Sequence, residues 1–317
     1  EGRITLGQLV QFFGYLLMLS WPMIALGWTA NLFQQGLASM GRIEEILDQT
    51  PAIADPPQPV SPGRLRGEIE FRNVACAYDG QTVLQDVNLV VPAGATVAIV
   101  GPTGSGKSTL VSLIPRLIDV SRGAVLVDGV DVRQYSLEAL RDQIGMVPQE
   151  PFLFSDTLEE NLAWGVQHSD ASPVRGAAEI ARLAPDVGGF PLGYQTVVGE
   201  RGVTLSGGQK QRATIARALA RDPAILILDD ALSSVDTRTE EEILDGLRRF
   251  VSSRTSLIIS HRISTVRGAD LIVVLDQGRI VERGTHTELL AAGGLYADLY
   301  RKQLLQEALE ADEQAPP

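Results

Sequence analysis

The chain has 317 residues, 44% of them hydrophobic, with one cysteine and a formal net charge of −12. That length holds one large or two ordinary domains, and Gly and Pro near normal usage describe an ordered protein. The acidic balance argues against a nucleic-acid partner, whose phosphates require clustered Lys and Arg, and the single Cys76 rules out an internal disulfide and argues against a cysteine-ligated zinc site.

Between Arg3 and Arg42 no side chain is charged. Leu9 to Phe33, LVQFFGYLLMLSWPMIALGWTANLF, is mostly apolar over about 25 residues, roughly 37 Å of helix, which is long enough to span a bilayer. A secretory signal is shorter and starts from Met and a basic region, whereas this chain begins Glu1-Gly2-Arg3. A buried helix of a soluble protein is the other alternative. Trp21-Pro22 predicts a kink, and Gln11, Ser20, Asn31, Gln34 and Gln35 are expected to face other helices or a wet cavity, because lipid does not solvate them. One helix encloses no path, so the lone span and the absent Met are read as the C-terminal piece of a longer membrane protein. The helical pattern continues to Leu47, giving a first segment of residues 1–50.

Thr50 to Gly63, TPAIADPPQPVSPG, carries five prolines that forbid helix and sheet ladder alike, so residues 51–66 read as a linker. A second domain is expected over residues 67–303. EIEFRNVACAY alternates like a half-buried strand, VLQDVNLVV follows, and TVAIV is a short apolar strand ending in glycine. Helical and apolar strand patterns then alternate through KSTLVSLIPRL, RATIARALARD, PAILILDD, EEILDGLRRF, TSLIISH and ADLIVVLD, which implies an α/β domain with a mostly parallel sheet. No internal repeat is visible. LEADEQAPP at the end is acidic and lacks an apolar face, so residues 304–317 are expected to be disordered.

GPTGSGKST, Gly101 to Thr109, lies between the strand TVAIV and the helix STLVSLIPRL. It fits G-x-x-x-x-G-K-[ST]. Gly101, Gly104 and Gly106, with Pro102, Thr103, Ser105 and Thr109 among them, form a loop whose backbone N–H groups wrap a phosphate; Lys107 balances the charge and Ser108 offers a hydroxyl to Mg²⁺. An ATP or GTP site follows, while kinase, GTPase and motor stay open. Ile225 to Asp236, ILILDDALSSVD, ends its apolar strand on Asp229, a carboxylate placed to reach the magnesium from the opposite side, directly or through water.

Leu205 to Arg212, LSGGQKQR, sits just before the helix that leads into that strand. It resembles the signature of ATP-binding cassette proteins, and the resemblance extends over the whole chain. It implies a membrane α-helix followed by an α/β P-loop NTPase domain with a RecA-like parallel-sheet core, an antiparallel β subdomain and a helical signature subdomain over about residues 136–212. It implies that Ser206, Gly207, Gly208 and Gln209 serve the γ-phosphate of ATP bound by a partner domain, so that two domains sandwich two ATPs. By the same resemblance Tyr78 in CAYDG stacks on adenine, and Gln149 in MVPQEPFLF meets the metal and water and reports to the membrane helices. Asp236 in SSVD acts across the dimer, and His261 in IISHR contacts the γ-phosphate. His168, in a polar loop, and His286, inside the capping box Thr285-x-x-Glu288, are given no such role.

Thr196 to Gly202, TVVGERG, resembles the loop before the signature in exporters, and a last membrane helix running into the nucleotide domain on one chain is also an exporter arrangement. ITLGQLVQFFGYLLMLSWPMIALGW resembles the final span of lipid- and drug-exporting half-transporters. The expected function is ATP hydrolysis driving export of a drug, lipid or other hydrophobic molecule across the cytoplasmic membrane. A soluble cassette ATPase of DNA repair or translation, and a regulatory module with little turnover, stay as alternatives. Asp230 keeps the last one open. Active members of the family carry Glu there to orient the attacking water; Asp withdraws the carboxylate by about 1.5 Å, and a misplacement of about 1 Å can cost on the order of a hundredfold. Slow hydrolysis with intact ATP and Mg²⁺ binding is expected. The resemblance to exporters that pair one slow and one competent site favours a heterodimer over a homodimer, this chain's LSGGQ completing the partner's site.

Overall fold

The computed structural model describes residues 4–78, 80–166, 172–199, 204–251 and 254–313. It divides into two units, residues 1–52 and 53–317.

The first unit is one helix, α1 (Leu6–Leu47), started by Thr5, whose hydroxyl accepts from the Gln8 N–H while the Gln8 side chain accepts from the Thr5 N–H. It is long and apolar enough to cross a membrane, and none of its residues is buried within the chain. The helix continues on both sides of Pro22. Several of its polar groups close on the helix itself: Ser20 donates to the Leu16 carbonyl at 3.0 Å, Thr29 to the Ala25 carbonyl at 2.8 Å and Gln11 to the Tyr15 hydroxyl at 2.8 Å.

The second unit holds two sheets. Among the described residues, β1 (Ile69–Tyr78), β2 (Gln81–Val91), β4 (Arg122–Val127) and β5 (Val130–Asp131) form an antiparallel sheet in the order β2-β1-β4-β5. A six-stranded sheet runs β10-β9-β3-β8-β7-β6, built from β3 (Thr96–Val100), β6 (Ile144–Val147), β7 (Ile225–Asp229), β8 (Thr255–Ile259), β9 (Leu271–Asp276) and β10 (Arg279–Gly284). Only β10 runs antiparallel to its described neighbour; the other pairs are parallel. The expected architecture of an apolar helix followed by a P-loop α/β domain is therefore the observed one.

Both faces of the larger sheet are covered, which is why its strands read as unbroken apolar runs. Val97, Ile99, Ile227 and Leu257 pack toward the antiparallel sheet and α2 (Lys107–Ser112). Leu226 and Leu228 pack toward α7 (Gly207–Ala220) and α8 (Thr237–Val251), which follow α3 (Leu137–Asp142), α4 (Leu158–Leu162), α5 (Ser172–Ile180) and α6 (Ala184–Val187). Ala98, Val100, Ile272 and Val274 share a cluster with α9 (Ile263–Val266), α10 (His286–Ala292) and α11 (Leu295–Glu313).

Two segments differ from a reading by composition. From Ile53 on, the proline-rich stretch read as a linker is fastened to the second unit. Val60 bridges to Tyr135, Arg116 donates to the Ala54 carbonyl at 3.0 Å, and Asp55 accepts the Leu137 N–H at 2.7 Å. Asp128 then accepts three successive N–H groups, from Arg66, Gly67 and Glu68, at 2.7, 3.1 and 2.9 Å. At the other end, α11 runs on to Glu313 through residues expected to be disordered. Leu, Glu and Ala are strong helix formers, so the helix propagates past its docked first turns without an apolar face to hold it.

Candidate nucleotide site

A pocket of about 240 Å³ opens at the C-terminal ends of β3, β6, β7 and β8, the end of a parallel sheet where ligands bind in such folds. The loop after β3 supplies Thr103, Gly104, Gly106, Lys107, Ser108 and Thr109. Gln149, beyond β6, reaches the pocket with Asp229 and Asp230 at the end of β7, and His261, just past β8, closes another side. Gly101 turns the chain into this loop at φ 149°, where a Cβ would lie 2.0 Å from the Leu275 carbonyl oxygen; no side chain fits there.

Lys107 and Asp229 are buried, at 7% and 5% exposure. The Lys107 ammonium donates to the carbonyl oxygens of Gly101 and Pro102, each at 2.9 Å. Burial pushes its pKa down, opposed by the charges of Asp229 and Asp230. Burial pushes the Asp229 carboxyl up; a hydrogen bond with Ser108 opposes this, Asp230 adds to the rise, and Lys107 and His261 pull it back. Each buried charge is thus incompletely compensated by its neighbours.

A larger groove, about 490 Å³, lies beside Gln143 and Ala224. Its charged groups are satisfied by one another, Arg64 with Asp222 at 2.9 Å and Arg221 with Asp142 at 3.0 Å, and no comparable set converges there.

Residues 84–233 match the family model described as ABC transporter. The folded unit is an ABC-type nucleotide-binding domain. Over 307 residues the chain is 45% identical to the ATP-dependent lipid A-core flippase of Syntrophus aciditrophicus (strain SB), covering 97% of this chain and 51% of that protein. It is 45% identical over 312 residues to the probable multidrug resistance ABC transporter ATP-binding/permease protein YheI of Bacillus subtilis (strain 168), covering 98% of this chain and 53% of that one. A solved structure of a bacterial Atm1-family ABC exporter with ATP bound superposes with a TM-score of 0.82 at 41% identity, over 96% of this chain and 54% of its own. The chain spans about half the length of the curated relatives it matches.

Not every expected residue of the ABC domain meets the pocket. Gly101, Pro102 and Ser105 belong to the loop but are not among the lining residues, Ser105 being 3% exposed. Tyr78 ends β1 at 43% exposure and is not among the lining residues. Ser206 is the N-cap of α7: its hydroxyl accepts the Gln209 N–H at 3.2 Å, and the Gln209 side chain accepts the Ser206 N–H at 3.0 Å. This signature stretch lies outside the pocket and against the turn after β7. A Cβ on Gly208 would come within 2.9 Å of the Ser234 carbonyl, so the close approach needs glycine, and Gly207 lies against the Ser234 side chain. Asp236 caps α8 through the Thr239 N–H at 3.0 Å, which holds its exposed carboxyl below the usual range. His168 and Glu200 to Gly202 of the exporter-like loop lie outside the described residues. Val83 and Ile259 also line the pocket, and nothing in the sequence marks either beyond its place in a strand.

Proposed function

We propose that the chain is the nucleotide-binding end of an ATP-driven exporter half, multi-pass in its full length, with α1 crossing the cytoplasmic membrane and the ABC domain in the cytoplasm. The observation that carries this reading is the convergence of Lys107, Ser108, Gln149, Asp229, Asp230 and His261 in one pocket at the strand ends. The undercompensated charges there suit MgATP, an anion beside Lys107 and a cation beside Asp229. Ser108, Gln149 and Asp229 would hold Mg²⁺, whose charge offsets that of the phosphates when it is bound.

In this reading the loop Gly101 to Thr109 wraps the phosphates and Lys107 neutralises them. Tyr78 serves the adenine from the end of β1 in the antiparallel sheet. Asp230 orients the attacking water from one methylene too far away, so turnover at this site is slow, and His261 fixes the γ-phosphate. The signature residues Ser206 to Gln209 and Asp236, gathered away from this pocket, serve a partner's ATP. The partner is a second half-transporter, a different chain rather than a second copy. Relatives named as a lipid A-core flippase and a probable multidrug resistance transporter support a lipid or hydrophobic small molecule as substrate.

The full chain in lipid nanodiscs tests the site. Lys107→Ala is expected to weaken ATP retention, and Asp229→Asn to leave retention near wild type while cutting metal-dependent phosphate release by about a hundredfold. Equal retention and turnover in wild type and both variants would remove the assignment. Extraction of the full chain from membranes by alkaline carbonate would remove the membrane span.

A further inference from the structure

Glu240 is 2% exposed on α8, one turn beyond Asp236, and none of the roles above uses it. A carboxylate so far from water needs partners that hold its charge. Its two oxygens accept from the Arg262 guanidinium and from the Thr265 hydroxyl. Arg262 directly follows His261. The same Nη1 that meets Glu240 also donates to the Val235 carbonyl at 3.2 Å, and Nη2 donates to the Ser233 carbonyl at 3.4 Å, both in the turn leading to Asp236. On the other side of that turn, Gln211 of α7 donates to the Ser233 hydroxyl at 2.9 Å and accepts the Ser234 N–H at 2.8 Å. The turn is thus braced between the Gln211 side chain of the signature helix and the Arg262 side chain, next in sequence to His261.

We propose that Glu240 is a positioning residue: by fixing Arg262 it holds His261 at the nucleotide pocket and the turn Ser233 to Asp236 in one register, so the two shift together. This rests on the reading of His261 and Asp236 as groups that serve ATP. A guanidinium is suited to the task because its planar donors reach one carboxylate and two carbonyls at once, which a lysine ammonium cannot do in the same geometry. Breaking the pair leaves a buried group without its counter-charge and frees both segments. The consequence falls on turnover rather than on binding, since Lys107 and the phosphate loop are untouched.

The test compares Glu240→Gln and Arg262→Lys with wild type in the complete transporter, both halves present, in lipid nanodiscs. Hydrogen exchange of residues 231–236 and 260–263 is expected to rise together by about tenfold or more, while residues 101–109 keep wild-type protection. Affinity for a fluorescent ATP analogue is expected to stay within about threefold and kcat for phosphate release to fall by at least about tenfold. Loosening of only one segment, unchanged kcat in a folded variant, or affinity and kcat falling in step would each overturn the proposal. Should Glu240→Gln not fold, Arg262→Lys, altered at the more exposed end of the pair, carries the same comparison. Wild type that releases no phosphate would sink the ATPase reading, and the paired exchange would still decide whether the brace exists.

Discussion

Asp230 has a backbone φ of 48° and donates its N–H to the Ile259 carbonyl at 2.9 Å. The sequence poses its identity as a question of reach alone, Asp against a longer Glu, but the backbone adds a second constraint. Asp is among the few non-glycine residues that enter the left-handed region readily, because its short polar side chain can hydrogen-bond to the local backbone and offset the Cβ clash met there. Asp230→Glu is expected to lose about 1 kcal/mol of stability or less, and to raise phosphate release wherever the opposing signature is intact. Urea denaturation and steady-state phosphate release on the same preparation check both parts; a large loss of stability without any gain in rate would mean that the backbone, not reach, selects Asp. The residues of this site were legible because each ends a strand or fills a fixed spacing after one. The torsion was not, since it is set by β8 pairing beside Asp230, a contact some thirty residues away in sequence.

Helices α10 and α11 show what a capping motif conceals. The sequence marks His286 only as part of a capping box, and that box is present. Its ring also meets the hydroxyl of the fully buried Tyr296, Nδ1 to oxygen 2.7 Å. Burial, with a smaller contribution from Tyr300, pushes the Tyr296 phenol up to about 12. The folded value lies above the ordinary value near 10, so the fold favours the neutral phenol; that stabilisation is complete below about pH 10 and is lost as pH rises through about 12. Its size is roughly 2–3 kcal/mol, an order-of-magnitude figure. The fall in urea midpoint between about pH 9 and about pH 11.5 is expected to be smaller in Tyr296→Phe than in wild type; identical falls would place the alkaline loss elsewhere. Strands such as Ile225–Asp229 were legible in the sequence because burial on both faces demands continuous branched apolar residues. The fastening of residues 53–66 was not, because Asp128 meets Arg66 across 62 positions and no local pattern announces such a partner.

At the scale of the molecule the pocket and the signature helix stand apart. Lys107 and Ser108 line the pocket at the strand ends, whereas Ser206 starts α7 outside it; under the proposed function this chain's signature serves a nucleotide other than its own. Which assembly results can be read from two substitutions in the complete transporter. If Asp230 is merely short, Asp230→Glu gains much in a homodimer, where an intact signature faces it, and little in a heterodimer whose partner has a damaged one. Ser206→Arg places a bulky cation at the phosphate-facing helix start and is expected to lower phosphate release of a heterodimer by at least about tenfold, because this signature then serves the competent site. The substitution also removes a helix cap, worth about 1 kcal/mol, so Ser206→Ala, which loses the same cap without adding the cation, separates the two effects. A large loss for Arg with a small one for Ala, beside a small gain for Asp230→Glu, is the heterodimer pattern. Phosphate release near wild type in Ser206→Arg would end the paired-site reading, and Asp230 would then owe its identity to the backbone torsion alone.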